Sequence, residues 1–285
     1  MGLDRDVAKF LLAARERKVD FQKTLMLGNQ WFDLTESTLH YLKKLFGLDD
    51  SFTKIQDTQK FLEFIGAKEI SAMDISEYEN ANILHDLNEP IGDELKEKFT
   101  FILDGGTLEH VFNFPTALSN AMQMVEVGGH LAIIEGGNNF LGHGFYQFSP
   151  ELFYRALSEE NGFTVKRMIA AEVGGNWYEV SDPKKVRSRV ELSNAKPTYL
   201  MTLAEKTASV KPFGKMPQQS DYQAQWETED NSKNSGNSSG GIKNLLKRNR
   251  ILYKTLVKIK QSQVDNLIRK ERSFSNKTVY KKVEK

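Results

Sequence analysis

An α/β fold is indicated most clearly by the stretch Phe99-Thr-Phe-Ile-Leu-Asp-Gly-Gly-Thr-Leu-Glu-His-Val111. Its apolar run ends in Asp104, and two glycines follow directly. A buried strand that stops at a carboxylate and a tight turn is typical of a parallel sheet, in which ligands lie at the carboxyl ends of the strands. The stretch therefore predicts a strand of such a sheet and a ligand crevice at its end.

Other segments repeat this pattern along the chain. Thr24–Gly28, Glu69–Asp74 and Gly129–Gly137 are short apolar runs that stop at glycine or an acid. Amphipathic helical segments separate them, and this alternation predicts a doubly wound, Rossmann-like sheet with helices on both faces. Phe163–Ala171 and Thr198–Ala204 alternate in polarity and are expected to form a closing antiparallel pair.

Composition and missing motifs exclude several functions. The chain has no cysteine, so disulfides and thiolate chemistry are excluded. Its five histidines form no H-x-x-x-H or H-E-x-x-H pattern, and no metal site is predicted. The G-x-G-x-x-G, G-x-x-x-x-G-K-[ST] and G-x-S-x-G motifs are absent, which counts against a dinucleotide, a P-loop nucleotide and a serine nucleophile.

The charge distribution divides the chain into parts. Residues 242–285 carry 14 basic and three acidic residues, so a basic tail follows a body that is net acidic. Residues 211–241 are rich in Gln, Ser, Asn and Gly and are expected to be a flexible linker. The sequence thus predicts a catalytic-type domain at 1–210, the linker, and a basic amphipathic helical tail at 242–285 that frays after Arg272.

The tail is open to three interpretations. It could lie on an anionic membrane surface, where each basic residue contributes about 1 kcal/mol. It could instead associate with a second copy or with the acidic body. Nucleic acid is disfavoured, because few aromatic residues interleave with the basic ones. No apolar run approaches the roughly 20 residues of a membrane-spanning helix, so a cytoplasmic protein is expected, with the inner face of a membrane as a peripheral location.

Candidate cofactor residues follow the first two predicted strands. Gly28 and Asn29 end the first strand, where a residue without Cβ lets the backbone approach a ligand. Asp74 ends the second strand and is followed by Ile75; an acid at this place can accept hydrogen bonds from both ribose hydroxyls. The alternatives are an ordinary strand-ending glycine and a helix-capping aspartate.

Further candidates follow the third and fourth strands. Asp86 could accept a hydrogen bond from an adenine amino group, with Leu87 packing on the ring, or it could cap the next segment. Asp104 and Gly105 stand where the cofactor would meet its acceptor. All four are predicted cofactor-binding residues.

Three residues are candidates for catalysis. His110 has an imidazole able to accept a proton near neutral pH, and His143 and Tyr146 belong to a loop rich in glycine and aromatics that could cap the crevice. The alternative for each is a structural role in packing. Glu109 precedes His110, but neighbours on a helix point to different sides, so the two are not expected to form a dyad.

The order of these motifs resembles class I S-adenosylmethionine-dependent methyltransferases over roughly residues 20–205. Ile102-Leu-Asp-Gly-Gly-Thr-Leu-Glu-His-Val111 is similar to the fourth-strand motif of that family, in the branch that acts on small molecules. Leu131-Ala-Ile-Ile-Glu135 is similar to the fifth-strand motif, and Asp74 and Asp86 match the ribose and adenine acids. The first motif is thinner than in the family, with only Gly28-Asn29-Gln30.

The resemblance implies a seven-stranded methyltransferase sheet and S-adenosyl-L-methionine as cofactor. It implies methyl transfer to a small-molecule acceptor. The chain as a whole also resembles methyltransferase-like proteins associated with surface-sugar assembly, which suggests a sugar hydroxyl as the acceptor. Some relatives hold a metal ion with a glutamate three residues before the Glu-His pair, but here that position is Gly106, so no metal is implied. The alternative, suggested by the thin first motif, is a cofactor-degenerate domain that serves as an interaction module.

Overall fold

A computed structural model describes residues 2–77, 80–222, 262 and 265–283 of the chain. It divides into two compact units. The first comprises residues 1–180, 195–217 and 282–285, and the second comprises 181–194 and 218–281. Much of the predicted linker and tail, residues 223–261, lies outside the described residues.

The described elements alternate as the sequence predicts. The helices are α1 (Arg5–Glu16), α2 (Glu36–Phe46), α3 (Thr58–Ile65), α4 (Phe114–Met124), α5 (Pro150–Ala156) and α6 (Pro183–Val186). The strands are β1 (Lys23–Leu27), β2 (Glu69–Asp74), β3 (Ile83–Leu84), β4 (Phe99–Asp104), β5 (Val125–Asn138), β6 (Phe163–Glu172), β7 (Trp177–Val180), β8 (Thr198–Lys206) and β9 (Tyr280–Lys282).

The sheet has the order β3-β2-β1-β4-β5-β8-β6-β7-β9. The strands β1 to β5 pair in parallel, whereas β8 lies antiparallel between β5 and β6. The chain runs outward from β1 to β3 and then returns to place β4 on the other side of β1. This reversal between β1 and β4 is a topological switch point, the usual ligand position in open α/β sheets.

Local capping explains where the helices begin. The side chain of Asp4 accepts hydrogen bonds from the amides of Asp6 and Val7 at the start of α1. Thr35 and Asp57 cap α2 and α3 in the same way. These side chains satisfy amides that a helix leaves without partners in its first turn.

Both faces of the sheet are covered. On one face, buried residues of α1, α2 and α3 pack in one core cluster with strand residues such as Met26, Phe101 and Ile134. Strand neighbours such as Ile102 and Ile133 are also buried but point the other way, since side chains alternate along a strand, and α4 packs on β4 and β5. This two-sided burial explains the nearly continuous apolar runs seen in the sequence.

The predicted Rossmann-like fold is confirmed: β1–β6 and β8 form the predicted seven strands, and β6 and β8 are the predicted antiparallel pair. The sheet is nevertheless larger than predicted, because β7 and β9 extend it. β7 was missed since Trp177–Val180 is short and follows two glycines. β5 begins at Val125, directly after the end of α4 at Met124.

A buried carboxylate fastens α1 to the hairpin of β6 and β7. Asp6 accepts hydrogen bonds from the amide of Gly174 at 2.9 Å and from the indole nitrogen of Trp177 at 3.0 Å. Both Asp6 and Trp177 are almost fully buried. Loss of this carboxylate would leave two donors in the interior without their acceptor.

We therefore expect Asp6→Ala to lower the free energy of unfolding by roughly 2–4 kcal/mol, the range for removing a charged acceptor from buried donors. Urea denaturation followed by circular dichroism measures the change. Glu16→Ala, at an exposed acid of the same helix, is the control and should change stability by less than about 0.5 kcal/mol. Equal effects of the two substitutions would contradict a fastening role for Asp6.

The second unit joins the end of the chain to residues 181–194. Arg272 forms an ion pair with Glu191 at 2.8 Å, and the Tyr280 hydroxyl donates to the carbonyl of Glu191 at 3.0 Å. Residues 265–271 are helical, as predicted for the tail, but the chain then turns into β9 instead of fraying. Tyr280 is only 2% exposed, so burial of its ring explains why this end is ordered.

The first unit includes the residues that follow β9. The amide of Val283 donates to the carbonyl of Trp177 at 2.9 Å. The domain boundaries expected at residues 210 and 241 remain predictions. Among the described residues, no helix combines the length and apolar character that crossing a membrane requires.

Candidate functional site

A cavity of about 460 Å³ lies in the first unit at the carboxyl ends of the parallel strands. Residues after β1, β2, β3 and β4 all contribute to it, and it spans the switch point between β1 and β4. The lining residues are Gly28, Asn29, Gln30, Trp31, Met73, Asp74, Ile75, His85, Asp86, Leu87, Asn88, Gly106, Thr107, His110 and Val111. Its volume falls in the range of pockets that enclose small molecules and cofactors.

The loop after β1 approaches the turn after β4 closely. Gly28 has φ +66°, and a Cβ at this position would lie 2.8 Å from the Thr107 hydroxyl oxygen. The same hydroxyl donates to the carbonyl of Leu27 at 2.6 Å. A side chain at residue 28 would therefore be strained and would push the two loops apart. A single glycine, at residue 28, is enough to allow this close approach. The cavity can therefore form although the first motif has fewer glycines than the family pattern.

The cavity brings together six of the predicted cofactor-binding residues: Gly28, Asn29, Asp74, Ile75, Asp86 and Leu87. The Asp74 carboxylate accepts from the amide of Ile75 at 2.7 Å, which holds it at the end of β2. Asp86 accepts from the backbone and side-chain nitrogens of Asn88, and these hydrogen bonds lower the pKa of its carboxyl. The lowered pKa keeps the Asp86 carboxylate in its charged, accepting form at the cavity wall.

Asp104 and Gly105 do not line this cavity, contrary to the placement that the sequence predicts. The side chain of Gln30 lies over Gly105, so close that a Cβ there would meet its oxygen at 2.3 Å. Asp104 is fully buried beneath the turn and accepts from the amides of Thr107 and Leu108. The cavity is reached instead by the next two residues, Gly106 and Thr107.

Three carboxyl groups are buried together behind the turn: Asp104, Glu109 and Glu135 are each at most 1% exposed. Burial raises the pKa of Asp104 to about 7. Burial also raises the pKa of Glu135 well above its ordinary value, and the negative charge of Asp104 adds to this. Glu135 interacts with both other carboxyls, and a hydrogen bond between two carboxyls requires a proton on one of them. The Asp104–Glu135 pair therefore retains a proton near neutral pH.

The Glu109 carboxylate faces two histidines. Its Oε1 lies 3.2 Å from Nε2 of His143 and 3.7 Å from Nε2 of His110. The expectation that Glu109 and His110 point apart was wrong, because the two side chains approach to 3.7 Å from adjacent positions of the short 3-10 helix 108–110. His110 lines the cavity, whereas His143 comes from the loop after β5 and lies outside its lining.

Gly144 and Phe145 position the loop that carries His143. The amide of Phe145 donates to the carbonyl of Glu109 at 2.8 Å. Gly144 has φ +72°, and a Cβ there would lie 2.8 Å from both the side chain and the carbonyl oxygen of Glu109. The loop can lie this close to Glu109 only with glycine at residue 144.

Tyr146 is engaged with the backbone. Its hydroxyl donates to the carbonyl of Phe112 at 2.6 Å, and it is not among the cavity-lining residues. The hydroxyl proton is therefore directed at a carbonyl oxygen in this structure. Beside it, the exposed rings of Phe112 and Phe145 meet edge to face at 5.7 Å. The pair offers an apolar surface next to the histidines.

Sequence reasoning missed several cavity residues. Gln30 and Trp31 continue the first-strand loop, and Asn88 follows the predicted adenine acid, so proximity in sequence could have indicated them. His85 directly precedes Asp86, so proximity in sequence could have indicated it as well. Glu135 carried no local signal for its contact with Asp104, because the pairing of β4 and β5 alone brings the two together.

The raised pKa of Asp104 predicts a specific pH dependence of stability. The folded protein binds a proton on Asp104 up to about pH 7, whereas the unfolded chain releases it near the ordinary value of about 4. This contribution to stability is full below pH 4 and is lost as pH rises through 7. From pH 5 to 8 the loss amounts to roughly 3 kcal/mol.

Asp104→Asn should abolish the loss of folding stability that Asp104 causes between pH 5 and 8. An asparagine side chain does not ionise, and it can still accept a hydrogen bond from the Thr107 amide. Denaturation in urea at pH 5 and pH 8 compares the two proteins. Asp20→Asn, at an exposed acid, should retain the pH dependence of the unaltered chain. The same pH dependence in Asp104→Asn as in the unaltered chain would contradict protonation of Asp104 in the fold.

Comparisons with known proteins found solved structures that are distantly similar to this chain. The sequence matches no family model and no curated protein. The chain is similar in structure to the N-methyltransferase NodS from Bradyrhizobium japonicum, with 14% identity, a TM-score of 0.41, and coverage of 72% of this chain and 96% of that one. The strand order described above, rather than such distant similarities, establishes the fold.

Two further solved structures show the same degree of similarity. One is 1,6-didemethyltoxoflavin-N1-methyltransferase from Burkholderia thailandensis, determined with bound 1,6-didemethyltoxoflavin and S-adenosylhomocysteine (18% identity, TM-score 0.38, 72% of this chain and 78% of that one). The other is an S-adenosylmethionine-dependent methyltransferase from Mesorhizobium loti (11% identity, TM-score 0.39, 68% and 95%).

Proposed function

We propose that the protein is an S-adenosylmethionine-dependent methyltransferase that acts on a small molecule. The observation that carries this proposal is the cavity at the β1–β4 switch point, with Asp74 and Asp86 on its wall and His110 at its edge. Asp74 would accept the ribose hydroxyls, and Asp86 with Leu87 would contact the adenine. The glycine at residue 28 would let the amino-acid part of the cofactor pass over the end of β1.

The reactive methyl group would face the side of the cavity formed by the turn after β4. Methyl transfer is a direct displacement, in which the acceptor oxygen forms a bond to carbon as the carbon–sulfur bond breaks. The protein aligns acceptor, methyl and sulfur, and it must also promote loss of the acceptor's proton. Glu109, His110 and His143 would do so, and they are the proposed acceptor-activating cluster.

A sugar hydroxyl is the acceptor we propose, with a role in surface-polysaccharide assembly. The exposed rings of Phe112 and Phe145 adjoin the acceptor-activating cluster, and aromatic faces suit the apolar face of a pyranose ring. Tyr146 would serve this surface by holding Phe112 through its backbone carbonyl. The formed cavity, with both acids retained, speaks against the alternative of a cofactor-degenerate interaction module.

The test is a transfer assay with S-adenosylmethionine labelled in its methyl group. The protein is incubated with the labelled cofactor and a panel of nucleotide sugars and simple glycosides, and products are separated by mass. We expect label in a methylated sugar and one S-adenosylhomocysteine per methyl transferred. Label in an amine or in no sugar of the panel would overturn the proposed acceptor.

The basic tail is proposed to contribute a peripheral contact, either with anionic lipid or with a second copy of the chain. The support is its sequence, with 14 basic and three acidic residues over 242–285, most of which lie outside the described part of the chain. Sedimentation with anionic vesicles and sedimentation velocity without them distinguish the two partners.

A further inference from the structure

We propose that Glu135 is a positioning residue of the acceptor-activating cluster. Its carboxyl group retains a proton, donates it in a hydrogen bond to Glu109, and thereby holds Glu109 as a charged carboxylate against the two histidines. Glu135 lies on β5 and does not line the cavity, so it acts through Glu109 and not on the acceptor itself. The proposal rests on the proposed function, in which the cluster promotes loss of the acceptor's proton.

Strand pairing places Glu135 between apolar and acidic neighbours. The register of β4 and β5 pairs Asp104 with Ile133, and Glu135, two residues further along β5, points to the same face of the sheet. On its other side β8 places the buried Leu200 opposite Glu135. The fully buried carboxyl of Glu135 therefore meets the carboxyls of Asp104 and Glu109 in surroundings without solvent.

The donors in this cluster have to be carboxyl groups. Within the described residues, no N–H group and no alcohol hydroxyl donates to either oxygen of Glu135, to either oxygen of Glu109 or to Oδ2 of Asp104. Three buried carboxylates in contact would repel one another and lack hydrogen bonds, which is costly. A proton on Glu135 removes one negative charge and supplies a donor to its neighbours. Burial, which raises the pKa of Glu135 well above its ordinary value, acts in the same direction.

The consequence reaches the histidines through Glu109. Its Oε1 lies 3.2 Å from Nε2 of His143 and 3.7 Å from Nε2 of His110. A carboxylate at this distance stabilises the imidazolium that forms when a histidine takes the acceptor's proton. The acceptor oxygen then forms its bond to the methyl carbon, and the carbon–sulfur electron pair returns to sulfur. Because Glu135 supplies the proton of the shared hydrogen bond, Glu109 remains charged beside the histidines.

Two substitutions separate this role from simple packing. Glu135→Gln replaces the ionisable O–H donor by an amide, whose two N–H groups can donate to Glu109 and Asp104 at any pH. Glu135→Leu fills a similar volume without any donor. Glu126→Gln, at a partly exposed acid of the same strand outside the cavity lining, is the control. Circular dichroism verifies that each variant is folded.

Infrared spectroscopy tests for the proton without any assay of activity. A protonated carboxyl group has a carbonyl stretching band that is separate from the bands of carboxylates and amides. We expect this band at pH 8 in the unaltered protein and in Glu126→Gln, and its loss or clear reduction in Glu135→Gln. A band of equal intensity in Glu135→Gln and in the unaltered protein would overturn the proposal.

Nuclear magnetic resonance tests whether Glu135 acts on the histidines. The Cε1–H signal of His143, assigned by its absence in His143→Ala, reports the surroundings of the ring. It should move in Glu135→Leu, where Glu109 has lost its donor, and should stay near its original position in Glu135→Gln and Glu126→Gln. An unmoved signal in Glu135→Leu would contradict coupling from Glu135 to the cluster.

The labelled-methyl assay then tests the consequence for catalysis. Glu135→Leu should lower kcat by roughly 10–100-fold, the effect of losing a hydrogen bond to a charged group. Glu135→Gln should restore kcat to within about fivefold of the unaltered protein, and cofactor affinity should change by less than about threefold in both. Full turnover in Glu135→Leu, or equal losses in both variants, would overturn the positioning role. An absence of transfer by the unaltered protein would instead overturn the proposed function, and the two spectroscopic results would still decide the contact between Glu135 and Glu109.

Discussion

Replacing His143 with alanine is expected to lower turnover by roughly 10²–10⁴-fold, the usual contribution of a group that promotes proton loss. The imidazole lies 3.2 Å from the Glu109 carboxylate and 40% exposed, so its removal affects the acceptor-activating cluster without opening the core. His110→Ala should have an effect of the same order. Affinity for S-adenosylmethionine should change by less than about threefold in His143→Ala, because His143 does not line the cavity.

The measurement is kcat with the nucleotide sugar identified by the labelled-methyl assay, together with the dissociation constant of the cofactor. His40→Ala is the matched control, as an exposed histidine outside the cavity. Full turnover in both His110→Ala and His143→Ala would eliminate the acceptor-activating cluster from the mechanism. A loss of cofactor affinity in proportion to turnover would show that His143 supports the cavity and not the reaction.

Asp74→Ala is expected to weaken S-adenosylmethionine binding by roughly 10²–10³-fold. Two hydrogen bonds from the ribose hydroxyls to one carboxylate contribute about 1.5–3 kcal/mol each. In the variant, water replaces part of these hydrogen bonds, so the measured loss of binding free energy is smaller than their sum. Asp74 lies at the end of β2 on the cavity wall. It is partly exposed, so the substitution should leave the fold intact.

Glu77→Ala supplies the control for Asp74→Ala. Glu77 is an exposed acid three residues further along the chain, and it is not among the residues that line the cavity. Its removal changes the net charge equally, so equal weakening by both substitutions would mean that general electrostatics, and not a contact with the ribose, explains the effect. Asp74→Asn should give an intermediate dissociation constant for S-adenosylmethionine, because an amide oxygen can still accept one hydrogen bond.

Much of the fold could be predicted because strand ends carry local signals. The acids and glycines after β1, β2 and β4 mark the carboxyl edge of the sheet, and the structure brings Gly28, Asp74 and Asp86 to one cavity there. The helices that cover the sheet are recognisable in the sequence from their apolar stripes and capping residues. β7 and β9 have no comparable signal, since each is four residues or fewer.

The acceptor side of the site was less predictable, because it depends on tertiary contacts. Glu109 and His110 were expected to diverge as helix neighbours, but their side chains approach to 3.7 Å, and Glu109 also lies 3.2 Å from His143 of the loop after β5. His143 reaches Glu109 only because glycine at residue 144 allows the loop to lie against it. Glu135 joins Asp104 through strand pairing alone, so nothing near it in the sequence indicates the buried cluster.

The most direct test of the central claim is a calorimetric titration of the unaltered protein with S-adenosylmethionine and with S-adenosylhomocysteine. We expect one binding site per chain with a dissociation constant on the order of micromolar for each compound, and no comparable heat with NAD. An absence of heat and of any thermal shift at millimolar concentrations of both compounds would contradict the account. The cavity at the β1–β4 switch point would then not be a methyl-donor site, and an interaction module would be the better description.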